Sequence, residues 1–596
     1  MQLHKIDISI IVLYLTSVIL IGFFLSKRAS KNLDSYFLGG KKLPWYLLGV
    51  SNASGMFDIT GTMWLVYLCF VYGLKSVWIP WLWPIFNQVF LMIYLSIWLR
   101  RSNVLTGAEW IRTRFGTDRG SELSHISVVI FALVSVIGFL SYAFEGIGKF
   151  SAVFLPWDFS PDTYAIIFMS ITTIYVVLGG MFSVVLTDLV QFIVLTISSL
   201  IIGIIAISRV SPKMLNAVVP EGWKNVFFGW HLNLDWSGLI NSVNTRIAED
   251  GWSLFTIFFM MVLFKGILIS IAGPAPNYDM QRILATKSPK EAAKMSGIVS
   301  VVLFFPRYFM ITGITVLALF FFNTQLRSMG QDIDFEMILP YVINNFIPVG
   351  LMGFLLAGLL AAFMSTFDST VNAGAAYLVN DIYKRYIKPD AKDKRLLLMS
   401  YLASFTVVII GIIFGFMAEN INTVTQWIVS ALWGGYTASN VLKWYWWRFN
   451  GYGYFWGMMA GIAAALLFPL VFPALSPLHA FPFILILSLI GCIFGSLLTM
   501  PTDEKVLKEF YSSVRPWGFW KPVHEKVISE NPQFKKNMNF KRDMFNVFIG
   551  IIWQTSLVAL PIYIVIQQRL PIYSAIIILV ISSFILKKNW YDKLEE

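Results

Sequence analysis

Apolar residues run along this chain in long unbroken blocks rather than at the short periods of half-buried helices and strands. Runs of about 20 apolar residues, the length that crosses a bilayer as a helix, fall near 6–25, 44–73, 77–99, 123–148, 161–179, 183–207, 252–276, 296–323, 349–376, 396–417, 421–442, 453–474, 481–500, 544–567 and 571–586. The pattern predicts an all-α polytopic membrane protein with about 15 transmembrane helices. Two runs are interrupted. The first, Leu43 to Tyr72, contains the small and polar stretch from Gly49 to Gly61, and the second contains Ile271-Ala272-Gly273-Pro274-Ala275-Pro276-Asn277. Lipid supplies no hydrogen bonds, so broken helices at membrane depth survive only where protein or a cavity surrounds them. The two breaks open two successive sets of five segments, which is the mark of an inverted-repeat secondary transporter.

This divides the chain into an N-terminal helix and loop (1–43), a first five-helix repeat (44–207), an outer segment (208–251), a second repeat (252–442) and C-terminal helices (443–596) with a polar loop at 501–543. Neither polar segment approaches the ~100 residues of an ordinary catalytic domain. No nucleophile, base or metal constellation stands at a common depth, so an enzyme is not expected. A solute sensor built on a transporter would need a signalling output, and only 587–596 follow the last run.

Composition agrees: 57% of residues are hydrophobic and 13% charged, with mean hydropathy +0.70, against ~25% charged in soluble domains. The net charge of +12 would suggest nucleic acid in a soluble protein. Here 34 of the 45 Lys and Arg fall on one side of the membrane when the N-terminus is placed outside, so the excess sets orientation, with a cytoplasmic C-terminus, and no nucleic-acid partner is expected. Cys69 and Cys492 sit inside apolar runs and the five His lack ligand spacing, so neither a disulfide framework nor a thiolate or imidazole metal site is indicated. Residues 6–25 end in Ser26-Lys27-Arg28, a basic stop rather than a small-residue cleavage site, and read as an uncleaved span.

Residues Ala362, Ser365 and Thr366 are spaced i, i+3, i+4, placing one carbonyl and two hydroxyls on a single helix face. Oxygen ligands alone suit an alkali cation; the alternative is that the hydroxyls bond their own helix carbonyls. Asp188 lies within an apolar run, where an ionised carboxylate costs at least ~2.5 kcal/mol unless paired or facing a cavity. Lys265 and Arg307 are cations within runs and need an acid or an anionic ligand, with Glu145 and Asp58 as the acids available. Asn52, Phe57 and Asp58 border the first break; Asp58 either meets a solute or caps the restarting helix. Trp444-Tyr445-Trp446-Trp447-Arg448 reads as an interfacial anchor.

Several motifs carry a family resemblance. Asn32-Leu-Asp-Ser-Tyr-Phe-Leu-Gly-Gly-Lys-Lys-Leu43, Gly179-Gly180-Met181 to Thr187-Asp188, Gln281-Arg282-Ile283-Leu284-Ala285-Thr286-Lys287-Ser288, Gly358 to Tyr383 and the first broken span together resemble the sodium:solute symporter family, in its order, from Asn32 to Asn450. The resemblance implies a leucine-transporter-type fold: one extra helix, two inverted five-helix repeats and added C-terminal helices. It implies a multi-pass protein of a cell membrane, the bacterial inner membrane, that acts as a monomer and imports a small polar solute with sodium by alternating access. It places one sodium ion among Val50, Ala53, Ala362, Ser365 and Thr366. A second would sit at Asp188, Asp368 and Ser369; Asp368 stands where Ser is commoner, and two acids either hold sodium or share a proton. The solute would meet Asn52, Phe57, Asp58, Glu145, Lys265, Arg307 and Gln426. Sugar transport fits Gln426, whereas Ile269 and Ala272 stand where sugar transporters carry Asn and Tyr. A sodium-coupled carboxylate or amino-acid symporter, with Lys265, Arg307 or helix termini holding the anion, is the alternative.

Overall fold

The computed structural model describes residues 3–29, 31–82, 87–227, 229–253, 266–330, 333, 335–347, 349–417, 433–472 and 477–595. Among the described residues, eleven helices are long and apolar enough to cross a membrane. Their burial separates centre from rim. In the most apolar stretch, 94% of Ile59–Ile79 and 89% of Leu351–Ile387 are buried, against 28% of Lys5–Phe24 and 17% of Arg569–Lys593. Polar side chains gather in the central helices because protein, not lipid, surrounds them.

Helix α1 (Lys5–Ala29) precedes the first broken span, which is α2 (Trp45–Met56) and α3 (Ile59–Tyr72). The break is shorter than the sequence suggests. The run from Gly49 to Gly55 stays helical, and the chain departs only at Phe57 (φ −91°, ψ 55°) and Asp58 (φ −76°, ψ 156°). Small residues there serve packing: a Cβ on Gly49 would lie 2.2 Å from Ile298 Cγ2 and 3.1 Å from the Met295 carbonyl.

Helix α4 (Arg119–Phe154) is followed by α5 (Pro161–Arg209), divided at Gly180 (φ 51°) into the two spans the sequence predicts. Gly180 is required twice over, since its backbone is left-handed and a Cβ would lie 2.6 Å from the Tyr36 carbonyl. The 208–251 segment packs over the far end of α3. The Trp223 indole donates to the Phe70 carbonyl (3.0 Å), and Asp250 accepts from Tyr72 (2.5 Å) and from Tyr67.

In the second repeat, residues 266–271 are helical, the chain breaks through Gly273 (φ 91°), and it restarts as α6 (Tyr278–Ala285) with Asn277 as its cap. With no apolar run between 276 and 296, hydropathy alone predicts a loop there. Instead Asp279 to Ala285 are buried, because neighbouring helices rather than lipid surround α6 and no apolar run is needed. The 444–448 run is corrected too. Trp444 is 1% exposed; its indole donates to the Ala272 carbonyl (3.0 Å) and Tyr445 to the Ile271 carbonyl (3.0 Å), satisfying acceptors that a broken helix leaves open.

Helices α7 (Pro289–Phe321), α8 (Leu351–Ala376), α9 (Asp393–Gly415) and α10 (Trp433–Tyr445) follow. Beyond Ala376 the chain widens into π-helical turns over Tyr377–Ile387, and Lys388 N–H reaches the Tyr383 carbonyl at 2.8 Å. There His125 on α4 meets Asp381 at 3.0 Å, both buried. Outside the repeats stand α11 (Gly451–Val471), α12 (Pro477–Leu497), the short α13 (Glu504–Val514) and α14 (Lys521–Glu530), and the terminal pair α15 (Phe540–Val565) and α16 (Arg569–Asn589).

Candidate functional site

The backbone departs from α2 at Phe57, and Asp58 restarts the helix as α3 by accepting the Gly61 N–H at 3.1 Å. The same carboxylate oxygen takes Arg307 Nη2 of α7 at 3.1 Å, and the Tyr142 hydroxyl of α4 bonds to this carboxylate. Asp58 is therefore both the cap of α3 and one half of an ion pair. Gly61 makes room for the group: a Cβ there would meet Asp58 Oδ1 at 2.3 Å, Arg307 Nη2 at 2.9 Å and Tyr142 Oη at 3.0 Å. The pair lines a cavity of about 50 Å³ whose walls include Met56, Trp64, Tyr142, Tyr278 and Thr366. Phe57 backs the guanidinium, its ring centroid 5.7 Å from Arg307 Cζ. Among the described residues Arg307 Nε is buried without a hydrogen-bond partner.

Beside α2 lies a buried polar cluster that joins both broken spans to α5 and α8. Asp188 accepts from Ser51 (2.5 Å), from Ser365 and from Arg282 Nη2 (2.9 Å). Arg282 also donates from Nη2 to Ser369 Oγ (2.6 Å) and from Nε to Ser51 Oγ (2.9 Å). Asp368 accepts from Tyr175 (2.9 Å) and from Ser369 (3.1 Å). The Thr366 hydroxyl lies 2.7 Å from the Gly55 carbonyl and 3.3 Å from that of Ala362. Among the described residues no group of three His, Cys, Asp or Glu has metal-binding geometry, so the chemistry present is that of oxygen donors and one guanidinium.

The sequence-derived residues are thus sorted by the fold. Ser365, Thr366, Asp188, Asp368 and Ser369 come together, with Ala362 one turn away on α8. Val50 and Ala53 lie inside α2, where the Ala53 carbonyl already accepts Phe57 N–H at 3.0 Å, and the α2 carbonyl that meets Thr366 is that of Gly55. Phe57 packs against the Arg307 guanidinium, and Asp58 and Arg307 line the cavity. Asn52 does not: its amide donates to Asp279 at 2.6 Å, because a buried carboxylate at the start of α6 must be satisfied. Glu145 does not pair with Arg307 but with Lys149 at 3.2 Å, one turn along α4. Lys265 and Gln426 lie outside the described residues.

Arg282 and Asp279 are the residues that sequence reasoning passed over. The signal was the Gln281-Arg282 pair just after the second break, assigned to a loop because apolar residues stop there.

Comparison with known proteins follows the same lines. Residues 36–461 match the model of the sodium:solute symporter family. The chain is similar to the sodium/mannose cotransporter SLC5A10 of Bos taurus, at 27% identity over 78% of each chain. It is similar to the sodium/glucose cotransporter of Vibrio parahaemolyticus at 25% identity over 84% of this chain and 92% of that one. A solved Na+-coupled sialic acid symporter in its substrate-bound outward-open state superposes with a TM-score of 0.62 at 18% identity, covering 84% of this chain and 99% of that one, a likeness of fold alone. The chain is a multi-pass membrane transporter of leucine-transporter-type fold, not an enzyme, and it belongs to the sodium:solute symporter family.

Proposed function

We propose that this chain imports a small polar organic solute, a sugar or sugar-like compound, by alternating access driven by one sodium ion held between the last turn of α2 and the hydroxyl face of α8. The ion's ligands would be Ser365 and Thr366 hydroxyls, the Ala362 carbonyl and carbonyls of α2 near Val50 and Ala53. The observation that carries this reading is the 2.7 Å contact of Thr366 Oγ1 with the Gly55 carbonyl, which sets the two halves of such a cage against each other. Sodium entering a negative interior would contribute ~2.3 kcal/mol per 100 mV before its concentration gradient is counted. A second cation would have to sit at Asp368 and Ser369, since Arg282 already meets the charge of Asp188. A sugar is supported by the sodium/mannose and sodium/glucose cotransporters among the relatives.

The cavity favours a second reading. An ion pair whose guanidinium keeps a free Nε is suited to a solute with a carboxylate or with both charges, as an amino acid has. Uptake into proteoliposomes, with sugars, monocarboxylates and amino acids as competitors, separates the two. In the same assay Ser365→Ala with Thr366→Ala removes sodium-dependent uptake; unchanged uptake at low sodium would reject the cage.

A further inference from the structure

A cavity of about 290 Å³, lined by none of the residues around Asp58 and Arg307, lies where the end of the helical segment 87–101, the 501–543 loop and the C-terminal segment meet. Six cations line it: Arg101, Arg515, Lys535, Lys536, Arg542 and Lys593. The acids in its lining are Asp543 and Glu595. Asp543 is already engaged, by Arg542 Nη2 at 3.2 Å and by the Trp517 indole at 3.1 Å, and Glu595 is exposed. Among the described residues no carboxylate forms an ion pair with Arg101, Arg515, Lys535, Lys536 or Lys593.

Six cations face two acids, of which Glu595 acts on Arg101, so the cavity keeps a net positive charge, and the fold pins these like charges together nonetheless. Arg101 Nη1 holds the Val514 carbonyl (3.1 Å), the Asn537 amide holds the Arg515 carbonyl (2.8 Å), and the Trp590 indole ties the C-terminal wall to the Met92 carbonyl (2.8 Å). Arg515 takes a left-handed backbone (φ 54°) to end α13, a conformation that is unfavourable for a non-glycine residue and persists where the surroundings fix it. Burial and the neighbouring charge of Arg515 hold the Arg101 guanidinium below its ordinary pKa. One wall, Ile93 and Ile97, is apolar.

We propose that this cavity is a binding site for a phosphate-bearing anion, separate from the transport path. Several convergent Lys and Arg in a pre-built cavity are what phosphate recognition requires, with Arg as the bidentate donor. The volume, close to the ~300 Å³ lower bound of ligand pockets, suits a diphosphate or one phospholipid headgroup. Headgroup sites of this kind form from basic pockets beside membrane helices.

The test uses the full chain in nanodiscs, read by thermal melting in choline chloride. Sodium pyrophosphate is added to phosphatidylcholine discs, with the sodium matched by sodium chloride, and separately the discs are made with 0–30 mol% phosphatidylglycerol. Stabilisation by pyrophosphate identifies a soluble ligand, and stabilisation by phosphatidylglycerol alone identifies a lipid headgroup. R515Q/K535Q/K536Q should weaken the response at least tenfold, while K384Q/K388Q/K394Q, around the connection from the π-helical turns to α9, leaves it intact. Where the first triple variant does not melt cooperatively, R515Q and K536Q are read singly. Absence of stabilisation by either probe, or equal loss in both triple variants, overturns the proposal.

Discussion

Replacing Arg282 with Met tests the electrostatics of the buried cluster directly. The guanidinium is 1% exposed and faces an Asp188 side chain that is 0% exposed, with Asp368 also buried and, among the described residues, in no ion pair. Removing one partner of such a pair costs ~3–5 kcal/mol, because the other charge stays desolvated. Met fills much of the arm's volume without a donor, so Arg282→Met leaves two carboxylates in a site stripped of its fixed positive charge. A mobile cation should then take its place. A ligand that binds only the folded state adds RT ln(1 + [L]/Kd), about 2.7 kcal/mol at one hundred times Kd, so sodium should return more than half of the loss. The assay is thermal melting of purified protein in sodium and in choline chloride. The variant should melt well below the parent in choline, and its sodium-dependent rise should exceed the parent's. Asp188→Asn combined with Arg282→Met removes both charges and should recover most of the stability without sodium. A variant whose melting rises with sodium no more than the parent's does would refute the reasoning.

Two further outcomes are expected. Gly61→Ala drives a Cβ to within 2.3 Å of Asp58 Oδ1, so the Asp58–Arg307 pair must part; uptake should fall at least tenfold while sodium-dependent melting persists, and normal uptake would dissociate the pair from transport. His524 is held below its ordinary pKa, first by burial and then by the charge of Lys536; the folded loop thus binds fewer protons than the unfolded one, and its stability declines as pH falls through about 6.5. Protection factors for amide exchange across 504–530, corrected for the intrinsic slowing of exchange at lower pH, should fall between pH 7.5 and 5.5 and lose that dependence in His524→Gln.

Much of this architecture was legible because bilayer spans announce themselves by length. The Gly179-Gly180 junction divides α5 where the sequence divides it, and the hydroxyl face of α8 is where helical spacing puts it. The failures share one cause, which is that hydropathy records contact with lipid and says little about helices enclosed by other helices. Gly49 to Gly55 looked like a break and is a packing face; the true break is Phe57–Asp58, where one side chain caps the restart. The α6 helix looked like a loop because its buried face holds Asp279 and Arg282, whose partners Asn52 and Asp188 come from other spans and have no sequence signature of pairing. Trp444 and Tyr445 looked like surface aromatics and instead supply donors to the second break.

The widened turns after Ala376 set a counting constraint on the family of sequences that can form this protein. Each i→i+5 closure accommodates one residue more than a regular helix would hold. Deleting one position between Tyr377 and Asp381 lets the coil close as a regular helix with the chain beyond it held in register, whereas adding one turns Asp381 by roughly 100°, off the azimuth that meets His125. Single deletions should accordingly be tolerated there better than single insertions, and both should be tolerated in the 388–392 connection.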